Sequence, residues 1–131
     1  MLINNVLMRK VTGNRIVDLS FEFALRIISF TDVLIENKKY AIAKQLIRCG
    51  TSIGANVSEA QSSESKADFI HKLKIAAKEA EETEYWLLLC RYSDSYPTDE
   101  ELLTMIIEIK KLLTSIINSS KKAIQANRAH H

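Results

Sequence analysis

Apolar residues recur along the chain with helical spacing in four successive segments, separated by short polar breaks. From about Ile16 to Asn37, the residues Ile16, Leu19, Phe23, Ile27, Phe30 and Leu34 are spaced 3, 4, 4, 3 and 4, which keeps them on one helical face. The expected stop is Asn37-Lys38-Lys39, where cations suit a helix C-terminus. The second segment, Tyr40 to Gln61, carries Ile42, Leu46, Cys49, Ile53, Val57 and Ala60 at 4, 3, 4, 4 and 3. Gly50 and Gly54 fall inside it, each at roughly 1 kcal/mol relative to alanine. With Ala43 and Ala55 they leave little side-chain bulk, so the pattern predicts close approach by a neighbouring helix.

After the polar stretch Gln61 to Ser65, a third segment runs to about Tyr92, with Ser65 as its N-cap. Phe69, Leu73, Ala76, Ala80, Thr83, Leu87 and Cys90 form a heptad seam. Ser93 to Pro97 breaks it. The fourth segment opens on Thr98-Asp99-Glu100-Glu101, read as a capping box with Thr98 at the N-cap. Its seam is Leu102, Ile106, Ile109, Leu113, Ile116, Ser120 and Ala123, and it is expected to fray from about residue 124. Helices of roughly 22–28 residues would be about 33–42 Å long. Short connections make successive helices antiparallel neighbours. The predicted fold is all-α, an antiparallel up-down-up-down four-helix bundle in one domain, preceded by an N-terminal arm over residues 1–13.

Composition agrees. The chain has 131 residues, with 47% hydrophobic and 26% charged, as a folded globular protein requires. Three Gly and one Pro are too few turn residues for a β-sandwich or barrel. No apolar run approaches the ~20 residues of a membrane span, and the start lacks a signal-peptide pattern, so the expected location is cytoplasmic and no membrane partner is expected. Cys49 and Cys90 fall on seam positions and read as small buried hydrophobes with free thiols.

Two features exceed what a bundle core needs. Arg48, Ser52, Asn56 and Glu59 form a polar stripe on the second helix, and Ile75, Glu79, Glu82, Trp86 and Leu89 form a mixed stripe on the third. These predict a second interface, used by another subunit, with Arg48 paired to Glu79 or Glu82. Charge is also uneven. Asn37 through Ser58 contains no acid but holds Lys38, Lys39, Lys44 and Arg48, while Lys121, Lys122 and Arg128 lie near the end. If these sets converge, Lys38, Lys39, Lys44, Lys121, Lys122 and Arg128 would contact nucleic acid or a ribonucleoprotein. The formal charge of +2 names no polyanionic partner by itself.

Catalytic chemistry is sparse. Asp68-Phe69-Ile70-His71 is a single near-match to a di-iron helix motif, and no second one accompanies it. Cys49 and Cys90 lack zinc spacing. Ser63-x-x-Lys66 and Ser119-x-x-Lys122 lack the other elements of an acylating enzyme. His130 and His131 are assigned no function. No enzyme activity, metal or cofactor is expected.

Gln45-Leu46-Ile47-Arg48-Cys49-Gly50-Thr51-Ser52-Ile53-Gly54-Ala55-Asn56-Val57-Ser58-Glu59-Ala60-Gln61 resembles the signature helix of the "four helix bundle protein" family, also called the intervening-sequence protein family. Ser65 to Leu73, Ala76 to Ala80, Glu82 to Leu87, and Ser20 to Ile27 fit the same pattern, so the resemblance covers about residues 14–120. Ala60 stands where the family usually has Gly, and Lys78-Glu79 where it has a small pair. The resemblance implies an antiparallel four-helix bundle that assembles into a ring, typically a homopentamer, with no established enzymatic activity. A related branch serves diversity-generating retroelements, where a basic ring surface contacts nucleic acid. By position, the resemblance also implies Arg48, Ser52, Asn56, Glu59, Glu79 and Glu82 as a polar interface set.

Overall fold

The computed structural model describes residues 12–129. Most of the expected N-terminal arm, and His130 and His131, lie outside the described residues. Four α-helices account for nearly all of the rest: α1 (Arg15–Glu36), α2 (Tyr40–Ala60), α3 (Lys66–Tyr92) and α4 (Glu100–Ala129). Asn14 caps α1 by accepting from the Val17 N–H at 3.3 Å. Ser65 caps α3 as expected, accepting from the Asp68 N–H at 3.0 Å. At the α1 C-terminus the Lys38 and Lys39 N–H groups return to the carbonyls of Ile35 and Leu34. Lys38 makes this turn with φ 62°, a left-handed conformation that usually selects glycine or asparagine.

Two terminal expectations are corrected. The α4 N-cap is Asp99, not Thr98: its carboxylate accepts from the Leu102 N–H at 3.0 Å. The same carboxylate takes the Arg26 guanidinium of α1, at 3.1 Å from Nε, and that second partner explains the choice of Asp99. The tail does not fray at residue 124, because α4 continues to Ala129.

Side-chain pairs fix the directions. Asn14 bonds Gln61, while further along α1 Ile27 lies against Gly50. Glu59 meets Lys72, and Arg48 meets Glu79. Arg91 meets Glu100, and Lys110 meets Glu81 and Glu84. Arg26 meets Asp99 and Glu101, and Arg15 meets Glu108. In every pair, numbers rise on one helix as they fall on the other, so all four neighbours are antiparallel. Among the described residues each helix packs on two neighbours and not on the diagonal one, and the α1–α4 seam is the thinnest. This is the up-down-up-down bundle that the heptads predict.

The core joins all four helices, with Phe23, Ile27, Leu46, Ile53, Leu73, Leu87, Ile106, Ile109 and Leu113 inside it. Each such side chain contributes roughly 1.5–3 kcal/mol by burial. Seam positions differ from expectation at four places: Ala43 is buried where Ile42 was expected, Ile70 where Phe69 was, and Ile117 where Ile116 was, while Ala123 is only half-buried. Ile42, Phe69 and Ile116 are half-buried against the same core. Buried hydroxyls bond to carbonyls of their own helices, as Thr83 Oγ1 does to Glu79 at 2.7 Å and Thr31 Oγ1 to Ile28 at 2.8 Å. Cys49 and Cys90 are buried free thiols. Burial pushes the Cys90 thiol up to about 11, and burial raises Cys49 as well, against a lowering by the nearby Thr83 hydroxyl.

Candidate interaction surface

The polar stripes of α2 and α3 meet across their shared seam. Antiparallel packing sets Arg48 opposite the turn holding Glu79 and Glu82. Arg48 is 3.4 Å from Glu79 and also pairs with Glu82. Trp86 donates its indole N–H to the same Glu82 carboxylate at 3.1 Å. Asn56 turns back on α2, donating to the Ser52 carbonyl at 2.9 Å and to its hydroxyl at 3.2 Å. Glu59 takes Lys72 at 3.3 Å. The pairing of Arg48 with both acids thus occurs inside one chain, and a second copy is not needed to satisfy it. Arg48 keeps about half its side chain in solvent, so this network is worth about 1 kcal/mol, the scale of exposed ion pairs. Replacing Glu82 with alanine removes an acceptor from Arg48 and Trp86 together. The expected result is a loss of about 1 kcal/mol and a red shift in the emission of Trp86, the single tryptophan of the chain.

The basic residues do not converge into one patch within the chain. Lys39 reaches Ser95 at 3.3 Å and lies 4.7 Å over the Tyr96 ring. Lys38, Lys39 and Lys44 therefore sit at the end of the bundle where α4 begins. Lys121, Lys122 and Arg128 lie in the last turns of α4, more than 20 residues further along a continuous helix, roughly 30 Å away. The expectation of one converged surface fails because the antiparallel fold sends the two sets to opposite ends. Lys110, which was not singled out, is held by two acids. It lies between Glu84 and Glu81 at 2.8 and 3.0 Å, and its hydrogen bond to Glu84, then that to Glu81, raises its pKa.

The surface that the sequence reading missed is apolar. On α1, Phe21, Ala24, Ile28, Thr31 and Ile35 follow 3, 4, 3 and 4; on α2, Tyr40, Lys44, Ile47, Thr51, Gly54 and Ser58 follow 4, 3, 4, 3 and 4. These second heptads flank the outside of the α1–α2 seam. They line two hollows, one of about 310 Å³ around Ile28, Ile35, Tyr40 and Ile47, and one of about 330 Å³ nearer the start of α1. The signal was present in the spacing, but Lys44, Thr51 and Ser58 interleave polar groups with the apolar residues of the α2 stripe. Among the described residues no group of three or more His, Cys, Asp and Glu is placed to hold a metal ion, and no helix is long and apolar enough to cross a membrane.

The family described as 23S rRNA-intervening sequence protein matches residues 13–115, from the residue before Asn14 to the middle of α4. The chain belongs to this family. A solved structure from Bacteroides thetaiotaomicron, described as a protein of unknown function from the S23 ribosomal protein family, is 48% identical. The alignment covers 78% of this chain and 97% of that one, with a TM-score of 0.69. No curated protein matches. Membership in the intervening-sequence family accounts for the Gln45 to Gln61 helix and its continuation into α3.

Proposed function

We propose that this intervening-sequence family protein is a non-enzymatic scaffold that assembles with copies of itself through the outer α1–α2 face. One observation carries the reading. Among the described residues, four of nine exposed large apolar side chains, Ile28, Ile35, Tyr40 and Ile47, line a single groove, each 36–60% exposed. Scattered apolar residues need no explanation, but a contiguous set marks an interaction surface. Burying it against a sister copy removes that area from water at roughly 25 cal/mol per Å². A ring requires two different faces per subunit. In this reading the apolar groove is one, and the stripe of Arg48, Ser52, Asn56, Glu59, Glu79, Glu82 and Trp86 is the other. Five subunits is the number the family resemblance implies.

Light scattering at micromolar concentration tests this. The unaltered protein is expected at a multiple of 14.9 kDa. Ile28→Asp combined with Ile47→Asp should return it to the single-chain mass with its helical content intact. An unaltered protein that already runs at 14.9 kDa removes the proposal.

A further inference from the structure

The seam between α3 and α4 brings together two stretches of chain that carry no acid. Residues 69–78 of α3 hold three lysines, and residues 109–129 of α4 hold four lysines and Arg128. Neither run makes a patch alone. Lys110 lies against Glu81 and Glu84, so α4 beyond Lys110 runs antiparallel alongside the part of α3 that precedes Glu81. Lys121 and Arg128 follow Lys110 by eleven and eighteen residues, about three and five turns, which returns both to the α3-facing side of α4. Lys74 and Lys78 precede Glu81 by seven and three residues, about two turns and one, and fall on the α4-facing side of α3. Lys111 and Lys122, one position further round, flank the row on α4. All six cations are exposed.

The charge on this face is uncompensated. Among the described residues, none of the six cations has a carboxylate within ion-pair distance. The neighbouring acids are engaged by other cations: Glu81 and Glu84 by Lys110, Glu59 by Lys72, and Glu108 by Arg15. Asp68 sits in the first turn of α3, where the helix dipole stabilises an anion. Among the described residues, no exposed large apolar or aromatic side chain falls within residues 66–78 or 109–129. A face without rings offers bases nothing to stack on, and one without an apolar stripe does not insert into a bilayer. Its chemistry fits a row of phosphates. We propose that the α3–α4 face binds the phosphate backbone of a nucleic-acid duplex, independently of base sequence. Lys111 to Arg128 covers about 26 Å of helix, the length of about seven or eight base pairs at 3.4 Å each. The two packed helices fix the spacing of the cations beforehand, so binding orders only their side chains. The faces assigned to assembly lie on the α1–α2 and α2–α3 seams, so this one stays open in a single chain and in a multimer alike.

Fluorescence anisotropy of the full chain with a labelled, random-sequence DNA duplex of about 20 base pairs tests this. Binding is expected at about 50 mM salt, and six phosphate contacts should make it weaken about a thousandfold by about 200 mM. Lys121→Glu with Lys122→Glu should weaken it at least tenfold and reduce the salt slope by about two. Lys38→Glu with Lys39→Glu alters the net charge identically at the other end of the bundle and should leave affinity within about twofold. Lys74→Gln with Lys78→Gln, on the other helix of the face, should give a smaller loss in the same direction, so the conclusion does not hang on the folding of one variant. Circular dichroism checks that each variant is helical. No binding by the unaltered protein at about 50 mM salt overturns the proposal, as do equal losses in the two glutamate variants. Tighter binding to a single strand of the same length overturns it too. Binding to phosphatidylserine vesicles but not to the duplex overturns it in favour of a membrane surface.

Discussion

Gly50→Leu is expected to lower the melting temperature by about 10 °C. Even a Cβ at this position would lie 2.9, 3.0 and 3.1 Å from three carbons of the Ile27 side chain. Ile27 is fully buried in the core and has nowhere to turn. Relief therefore requires α1 and α2 to separate along the seam where they meet most closely. Overpacking of this kind typically costs 1–3 kcal/mol, and the whole leucine side chain places the variant at about 3. The helix propensity regained by removing glycine returns less than about 1 kcal/mol. For a domain of this length each kcal/mol is worth a few degrees. Ile27→Ala in the same chain should recover part of the loss, a coupling that a double-mutant cycle reads directly. At Gly54 the effect should be far smaller for alanine, since its Cβ would rest 3.3 Å from the Ser20 carbonyl. Thermal unfolding followed by circular dichroism checks both, and an unchanged melting temperature for Gly50→Leu would show that the helices do not touch there.

Stability is expected to fall as pH rises from about 9 to 11. Cys90 is almost wholly buried, and burial raises its thiol from the ordinary value of 9.0 to about 11. Between those values the unfolded chain has released the proton and the folded chain still holds it. The contribution is therefore complete below pH 9 and lost as pH climbs through 11. Two pKa units correspond to roughly 2–3 kcal/mol. Cys49 and Lys110, both raised, act in the same direction. Urea unfolding between pH 7.5 and 10.5 measures the effect, with Cys90→Ala as the comparison. The variant should start less stable, because of the lost sulfur, and should decline less steeply. Parallel declines would mean that the Cys90 thiol is not insulated.

Residues that obey a period were readable from the sequence, and residues chosen by a third partner were not. Leu73, Ala76, Ala80, Thr83, Leu87 and Cys90 fall where their heptad puts them, because one buried face leaves no other phase. Ile117 displaces Ile116 because 3.6 residues per turn drifts against a seven-residue repeat, and a 4, 4 spacing from Ile109 through Leu113 takes up the drift. Thr98 and Asp99 both satisfy a capping pattern, and only Arg26, more than 70 residues away, decides between them. Of the candidate site, the Arg48, Glu79 and Glu82 cluster was legible from two stripes of matching spacing. The fate of the basic residues was not, since helix patterns say nothing about which ends meet. The groove around Ile28 and Ile47 was hidden by the hydrophilic residues interleaved with it, whose stems line its edges.

The thin α1–α4 seam bears on how the molecule comes together. Three of its four packing interfaces join helices that follow one another in the chain, across connections of only a few residues. Such contacts form at little loop-closure cost and favour rapid search. The remaining seam must bring α1 and α4, far apart along the chain, together, and it is also the one with least contact. Two adjacent hairpins therefore define most of the native topology before the ring of helices closes, and the last closure is the first to reopen. Native-state hydrogen exchange would register that opening along α1 and α4 while α2 and α3 stayed protected.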